Sequence, residues 1–135
     1  MKAFVEEDGS AFLDELLRER EPRATSRISY VECHAAFARG KREGRLSAKD
    51  VSALVRDLRR RWEDLVILEF DAPLGERAAS LAHELELRAA DAIQLASASE
   101  LMTVLGGVRF ACWDRRLRQA AASLGFHVVP EVLEV

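Results

Sequence analysis

Three carboxylates, Glu32, Asp91 and Asp114, stand where solubility does not call for one. Glu32 lies between Val31 and Cys33. Asp91 heads an apolar run, and Asp114 follows an apolar segment directly. Carboxylates that converge repel one another and are stable as anions only around a cation. Hard oxygen donors of this kind suit Mg²⁺ or Mn²⁺. Such an ion acidifies a water and steadies a phosphoryl oxygen during displacement. The chemistry offered is therefore metal-assisted hydrolysis of a phosphodiester. Each acid also has a plainer reading. Asp114 is a favoured helix N-cap. Asp91 is a first-turn acid favoured by the helix dipole. Glu32 is a partly exposed helix residue. The three are distant in sequence, so spacing alone does not bring them together.

The elements that must position them read as follows. RAADAIQLASA, residues 88–98, opens a helix over roughly 89–105 that stops at Gly106-Gly107. With Asp91 at position i, Leu95, Ala98 and Met102 fall on one face. VRFACW, 108–113, is a buried strand. DRRLRQAAASLG is a helix capped by Asp114 and closed by Gly125, and HVV is a last short strand. Asp114 thus sits at a strand's carboxyl end, where sites form in parallel α/β sheets. Glu32 lies in the helix YVECHAAFARGKREG, which closes between Gly40 and Gly44 and follows a short strand in ATSRIS.

The remaining segments fill in the fold. AFLDELLRERE is a short amphipathic helix ended by Pro22. Ser47 caps the helix SAKDVSALVRDLRRRWED, with Asp50 completing a capping box. Its Val51, Leu54, Val55, Leu58 and Trp62 keep helical spacing. LVILEF, 65–70, is a strand buried on both faces. Pro73 opens a helix through Glu86 with Leu74, Ala78, Leu81 and Leu85 on one side. Helices alternating with short buried strands predict an α/β domain with a mostly parallel sheet.

The 135 residues suit a single domain with a real core. Apolar residues are 49% and charged residues 32%, both ordinary for a globular chain. A net charge of −3 gives no global pull toward nucleic acid or anionic membrane. Cys33 and Cys112 form no C-x-x-C pattern, and His34, His83 and His127 show no metal-ligand spacing. Cys112 reads as core. No stretch reaches the roughly 18 apolar residues of a membrane span, and MKAFVEEDGS turns acidic too early for a secretory signal. A reduced, cytoplasmic setting is expected.

Five segments resemble the PIN-domain family, and within it the VapC-type toxins of toxin–antitoxin pairs. They are KAFVEEDGS, SRISYVECHAAFAR, the Leu46-Ser47 pair, LRAADAIQLASA and FACWDRRLRQAAASLGF. LRAADAIQLASA followed by WDRRL is the most specific part. The resemblance implies a three-layer α/β/α sandwich over residues 1–135. It also implies an acidic pocket that binds Mg²⁺ or Mn²⁺ and cleaves RNA through a metal-activated water. Glu32, Asp91 and Asp114 match three of the family's acids. A protein antitoxin and a second copy of the chain are the partners it implies, beside RNA.

One departure stands out. In the family a strand ending in Asp precedes the segment matching KAFVEEDGS, in the order Asp, Thr or Ser, Ser, Ala, two apolar residues and Lys. Lys2 matches that Lys and Met1 the last apolar residue, so the first strand and its Asp are missing from this sequence. Either translation begins further upstream or the chain is a truncated relative with weak activity. A truncated form would bind antitoxin or RNA without cleaving. A third reading is a small-molecule or signalling domain with an acidic Mg²⁺ pocket. Among the arginines, Arg59, Arg60, Arg61, Arg115, Arg116 and Arg118 are solvated helix faces or phosphate contacts. Arg115 and Arg116 directly follow Asp114 and are the better candidates for binding RNA.

Overall fold

The computed structural model describes residues 22–132. The helix expected in AFLDELLRERE and the segment KAFVEEDGS lie outside the described residues. The chain divides into two compact units, Met1–Ile67 and Leu68–Val135.

Among the described residues, the first unit is built on two helices. Strand β1 (Ala24–Ser26) leads into α1 (Ile28–Arg42). The helix starts two residues before Tyr30 because the Ile28 amide donates to Ser26 Oγ at 3.3 Å, and the Thr25 and Ser29 hydroxyls meet at 2.7 Å. ATSRIS is therefore strand only in its first half. Gly40, expected near the end of this helix, lies inside it and is buried. Helix α2 (Ala48–Trp62) begins at the capping box read from the sequence. Asp50 N–H donates to Ser47 Oγ at 3.0 Å, and Ser47 N–H donates to Asp50 Oδ2 at 2.8 Å. These bonds hold the Asp50 carboxyl below its usual range, the backbone one most strongly. The core is Cys33, Phe37 and Leu58, with Tyr30, Val51, Leu54, Val55 and Trp62 packed on it. The apolar spacing of α2 names all of its own contributors.

Strand β2 (Val66–Leu68) closes this unit and pairs with β1. Here the sequence reading needs correction. LVILEF forms a strand over three residues only, and Val66 and Phe70 are exposed at 51% and 55%. An apolar run shows that a strand can be buried, while burial itself depends on what covers it. Among the described residues β2 pairs with β1, and it is not buried on both faces.

The second unit alternates helix and strand. Asp71 caps α3 (Ala72–Leu85) by accepting from Leu74 N–H at 2.9 Å, and Pro73 sits in the first turn. Then come α4 (Ala89–Leu105), β3 (Arg109–Ala111), α5 (Arg115–Ser123) and β4 (His127–Val129). β3 and β4 are parallel, with Arg109, Phe110 and Ala111 opposite His127, Val128 and Val129. Cys112 N–H extends the pairing to Val129 C=O at 3.0 Å. Helix α4 presents Leu95 to the core with Ala98 and Met102 beside it, as the stripe predicts. Ala92, Ala96 and Ser97 are buried as well, so the helix is covered on more than one side. At the end of α5, Gly125 N–H donates to Ala122 C=O and Phe126 N–H to Ala121 C=O. This is a Schellman closure, with Gly125 at a φ of 87° that only glycine adopts freely. Together these elements give the α/β class expected from the sequence. No helix among the described residues is long and apolar enough to cross a membrane.

Candidate functional site

Asp114 is placed by a strand that ends and a helix that begins. Cys112 and Trp113 carry the chain from β3 to α5, and Asp114 is the N-cap. Its Oδ1 accepts from Leu117 N–H at 2.9 Å. The plain reading of Asp114 is thus correct. It does not exhaust the side chain, because the cap bond engages one oxygen and the residue is exposed.

Asp91 is the third residue of α4 and half-buried. The N-cap, Arg88, makes no side-chain cap bond, so Asp91 is the only acid in that first turn. The dipole favours it there. One turn further, Leu95 is fully buried. The carboxylate stands at the head of the stripe because the helix enters the core below it.

Cys112 lies two residues before Asp114 and is buried. Burial pushes its thiol from the ordinary 9.0 up to about 11, and the charges of Asp114 and Asp91 both add to the rise while Arg118 opposes it. The sequence signals Cys112 only as core, which it is. Its place two residues before Asp114 is the cue to its second property.

Glu32 is exposed on α1 in the first unit, beside Val31, which is 63% exposed. It raises the pKa of the neighbouring Cys33 thiol, though desolvation is the main cause there. Among the described residues, no three His, Cys, Asp or Glu side chains stand together as a metal-binding group. The structure places Asp91 and Asp114 in the second unit and Glu32 in the first.

The arginines separate. Arg115 and Arg116 are exposed in the first turn of α5 and form no ion pair among the described residues. Cations at a helix N-terminus work against its dipole, by about 0.3–1 kcal/mol each. Arg118 is structural instead. Its Nη1 donates to Cys112 C=O at 2.7 Å, and its Nη2 donates to Pro130 C=O. Arg60 and Arg61 pair with Asp57 on their own helix. His34 is half-buried and packs against the Tyr30 and Phe37 rings.

The raised thiols make a testable statement. At pH 8 a thiol of pKa about 11 is about one part in a thousand thiolate, and Cys33 and Cys112 are both buried. Iodoacetamide should leave native Cys33 and Cys112 unmodified and label them in urea. Rapid native labelling would refute this burial. For Cys112 the unfolded thiol loses its proton near 9.0 and the folded one near 11. Above pH 9 the folded state holds the extra proton, so stability should fall as pH rises through that window.

Comparison with known proteins adds the wider setting. The PIN domain matches residues 1–122. Over 134 residues the chain is 33% identical to Ribonuclease VapC45 of Mycobacterium tuberculosis (strain CDC 1551 / Oshkosh), covering 99% of this chain and 92% of the other. The same figures hold for Ribonuclease VapC49 of M. tuberculosis (strain ATCC 25618 / H37Rv). Ribonuclease VapC46 of the latter strain is 33% identical over 129 residues, 96% of this chain and 89% of its own.

Proposed function

Because the chain belongs to the PIN-domain family, we propose that it is a metal-dependent endoribonuclease and the toxin of a toxin–antitoxin pair. The observation that carries this is the 33% identity, over 99% of the chain, to proteins named ribonucleases. Asp91 in the first turn of α4 and Asp114 at the N-cap of α5, both in the second unit, supply carboxylates of the kind this chemistry uses. The family match crosses both units, which supports residues 1–135 acting as one PIN-like domain.

The donor set fits a hard divalent cation. Mg²⁺ keeps several waters and takes one or two carboxylates from a protein. Asp91 and Asp114 would hold Mg²⁺ or Mn²⁺, with Glu32 as a third acid. When bound, the ion supplies charge that acidifies a water and neutralises the phosphoryl group. The chain's own residues do the rest. The cap bond fixes Asp114 Oδ1 and orients the carboxylate. The first turn of α5 offers backbone N–H groups to an anion. Arg115 and Arg116 add two cations there, and they orient the RNA phosphate. The partners on this reading are RNA, a protein antitoxin that covers the acids, and a second copy of the chain.

The test is cleavage of a mixed RNA pool with Mn²⁺ present. We expect cutting that stops with a chelator and returns with added Mn²⁺. Mn²⁺ should also raise the melting temperature, since a ligand at a hundred times its Kd stabilises by about 2.7 kcal/mol. RNA or antitoxin bound without cleavage would instead identify a non-cutting module.

A further inference from the structure

The tip of the α1–α2 hairpin carries charge that the proposed chemistry does not use. Residues 39–49 hold Arg39, Lys41, Arg42, Arg45 and Lys49 against one acid, Glu43. A segment of net +4 thus sits on a chain of net −3. All five cations are exposed. Glu43 is taken by Arg45 at 2.7 Å, and that bond holds its carboxyl below the usual range. Asp50, just beyond, is turned back onto Ser47 by the capping box. Arg39, Lys41, Arg42 and Lys49 form no ion pair among the described residues.

The helix dipole accounts for part of this. Arg39, Lys41 and Arg42 are in the last turn of α1, where cations are favoured. It does not account for Arg45, and it opposes Lys49, which stands in the first turn of α2. The tip is also tightly built. The Arg45 and Leu46 amides both donate to Gly40 C=O, at 2.9 and 3.1 Å, and Glu43 N–H donates to Arg39 C=O at 2.9 Å. A Cβ on Gly40 would stand 2.6 Å from Leu46 Cδ1, so glycine lets Leu46 fold back over the helix. With the backbone ordered in advance, binding has only side chains left to order.

We propose that this tip is a second RNA contact that grips the phosphate backbone, about 15 Å along α1 from Glu32. The inference rests on the ribonuclease reading and adds to it a surface that holds the strand. The chemistry favours RNA over an acidic protein segment. Protein interfaces are anchored by buried aromatic and apolar side chains. Residues 39–49 offer Leu46 alone, and it is half-buried against Gly40. A phosphate backbone needs cations and no apolar anchor.

The experiment uses the full chain carrying Asp91→Asn, so that bound RNA is not cut. Labelled single-stranded oligouridine is titrated by anisotropy across a salt series. The comparison is the same chain with Arg39→Gln, Arg42→Gln and Lys49→Gln. Gln keeps helix propensity and leaves Gly40 and the capping box untouched. Each lost contact should take about 0.7 from the slope of log affinity against log salt, so the triple variant should lose about 2. Should the triple variant fail to fold by circular dichroism, Arg42→Gln with Lys49→Gln should lose about 1.4. An unchanged slope, with the parent still binding RNA, overturns the tip and leaves the ribonuclease reading standing. A parent that binds no RNA at any salt removes both. Loss of poly-L-glutamate binding without loss of oligouridine binding would assign the tip to an acidic protein and overturn the proposal.

Discussion

Asp114→Asn should leave the protein folded and stop it cutting RNA. Asn caps a helix as well as Asp does, so its side-chain oxygen can still accept from Leu117 N–H, now 2.9 Å from Asp114 Oδ1. Stability should change by only a few tenths of a kcal/mol. The negative charge, however, is gone. A metal's share of transition-state stabilisation is several kcal/mol, and about 4 kcal/mol is about a thousandfold in rate. We expect a loss of that order, together with loss of the Mn²⁺-induced rise in melting temperature. Asp91→Asn should match it in rate and also lose up to about 1 kcal/mol from the dipole of α4. The substitution at Asp114 is the sharper of the two, because it keeps the structural role and removes the chemical one. Cleavage at the parent rate by Asp114→Asn would make that residue a cap and nothing more.

The second large effect is on stability. Phe37 is 1% exposed in the core of the first unit, and Leu95 is 0% exposed in that of the second. Phe→Ala in a core costs about 3–5 kcal/mol and Leu→Ala about 2–5. Either is a large part of the 5–15 kcal/mol that domains typically have. If residues 1–135 are one cooperative domain, urea melts should show a single transition, moved to lower urea by either substitution. Two transitions, each moved by only one substitution, would make the units independent.

What the sequence discloses about this fold is what neighbours decide. The Ser47–Asp50 box, the core face of α2, the stop at Gly106 and the Gly125 closure depend on residues within a turn or two, and the structure has each of them. Asp71 before Ala72-Pro73 has the same local signature, and it too caps a helix. Burial of strands is different, because it depends on partners far along the chain. LVILEF reads as covered on both sides, yet Val66 is half-exposed. Arg118 reads with Arg115 and Arg116 as a solvated helix face or a phosphate contact, but Pro130, twelve residues on, makes it structural. The acids show the same divide. Each is legible from its own neighbours, while their convergence depends on elements far along the chain.

The Arg118 clamp has a consequence for what substitution can preserve. One guanidinium reaches the carbonyl just after β3 and the carbonyl just after β4. A lysine would keep the charge but lacks the planar fork that meets two acceptors at once. Position 118 is therefore constrained by the shape of the donor as well as by its charge. Replacement by lysine there would loosen the tether between the Asp114 cap and β4 without altering the protein's net charge.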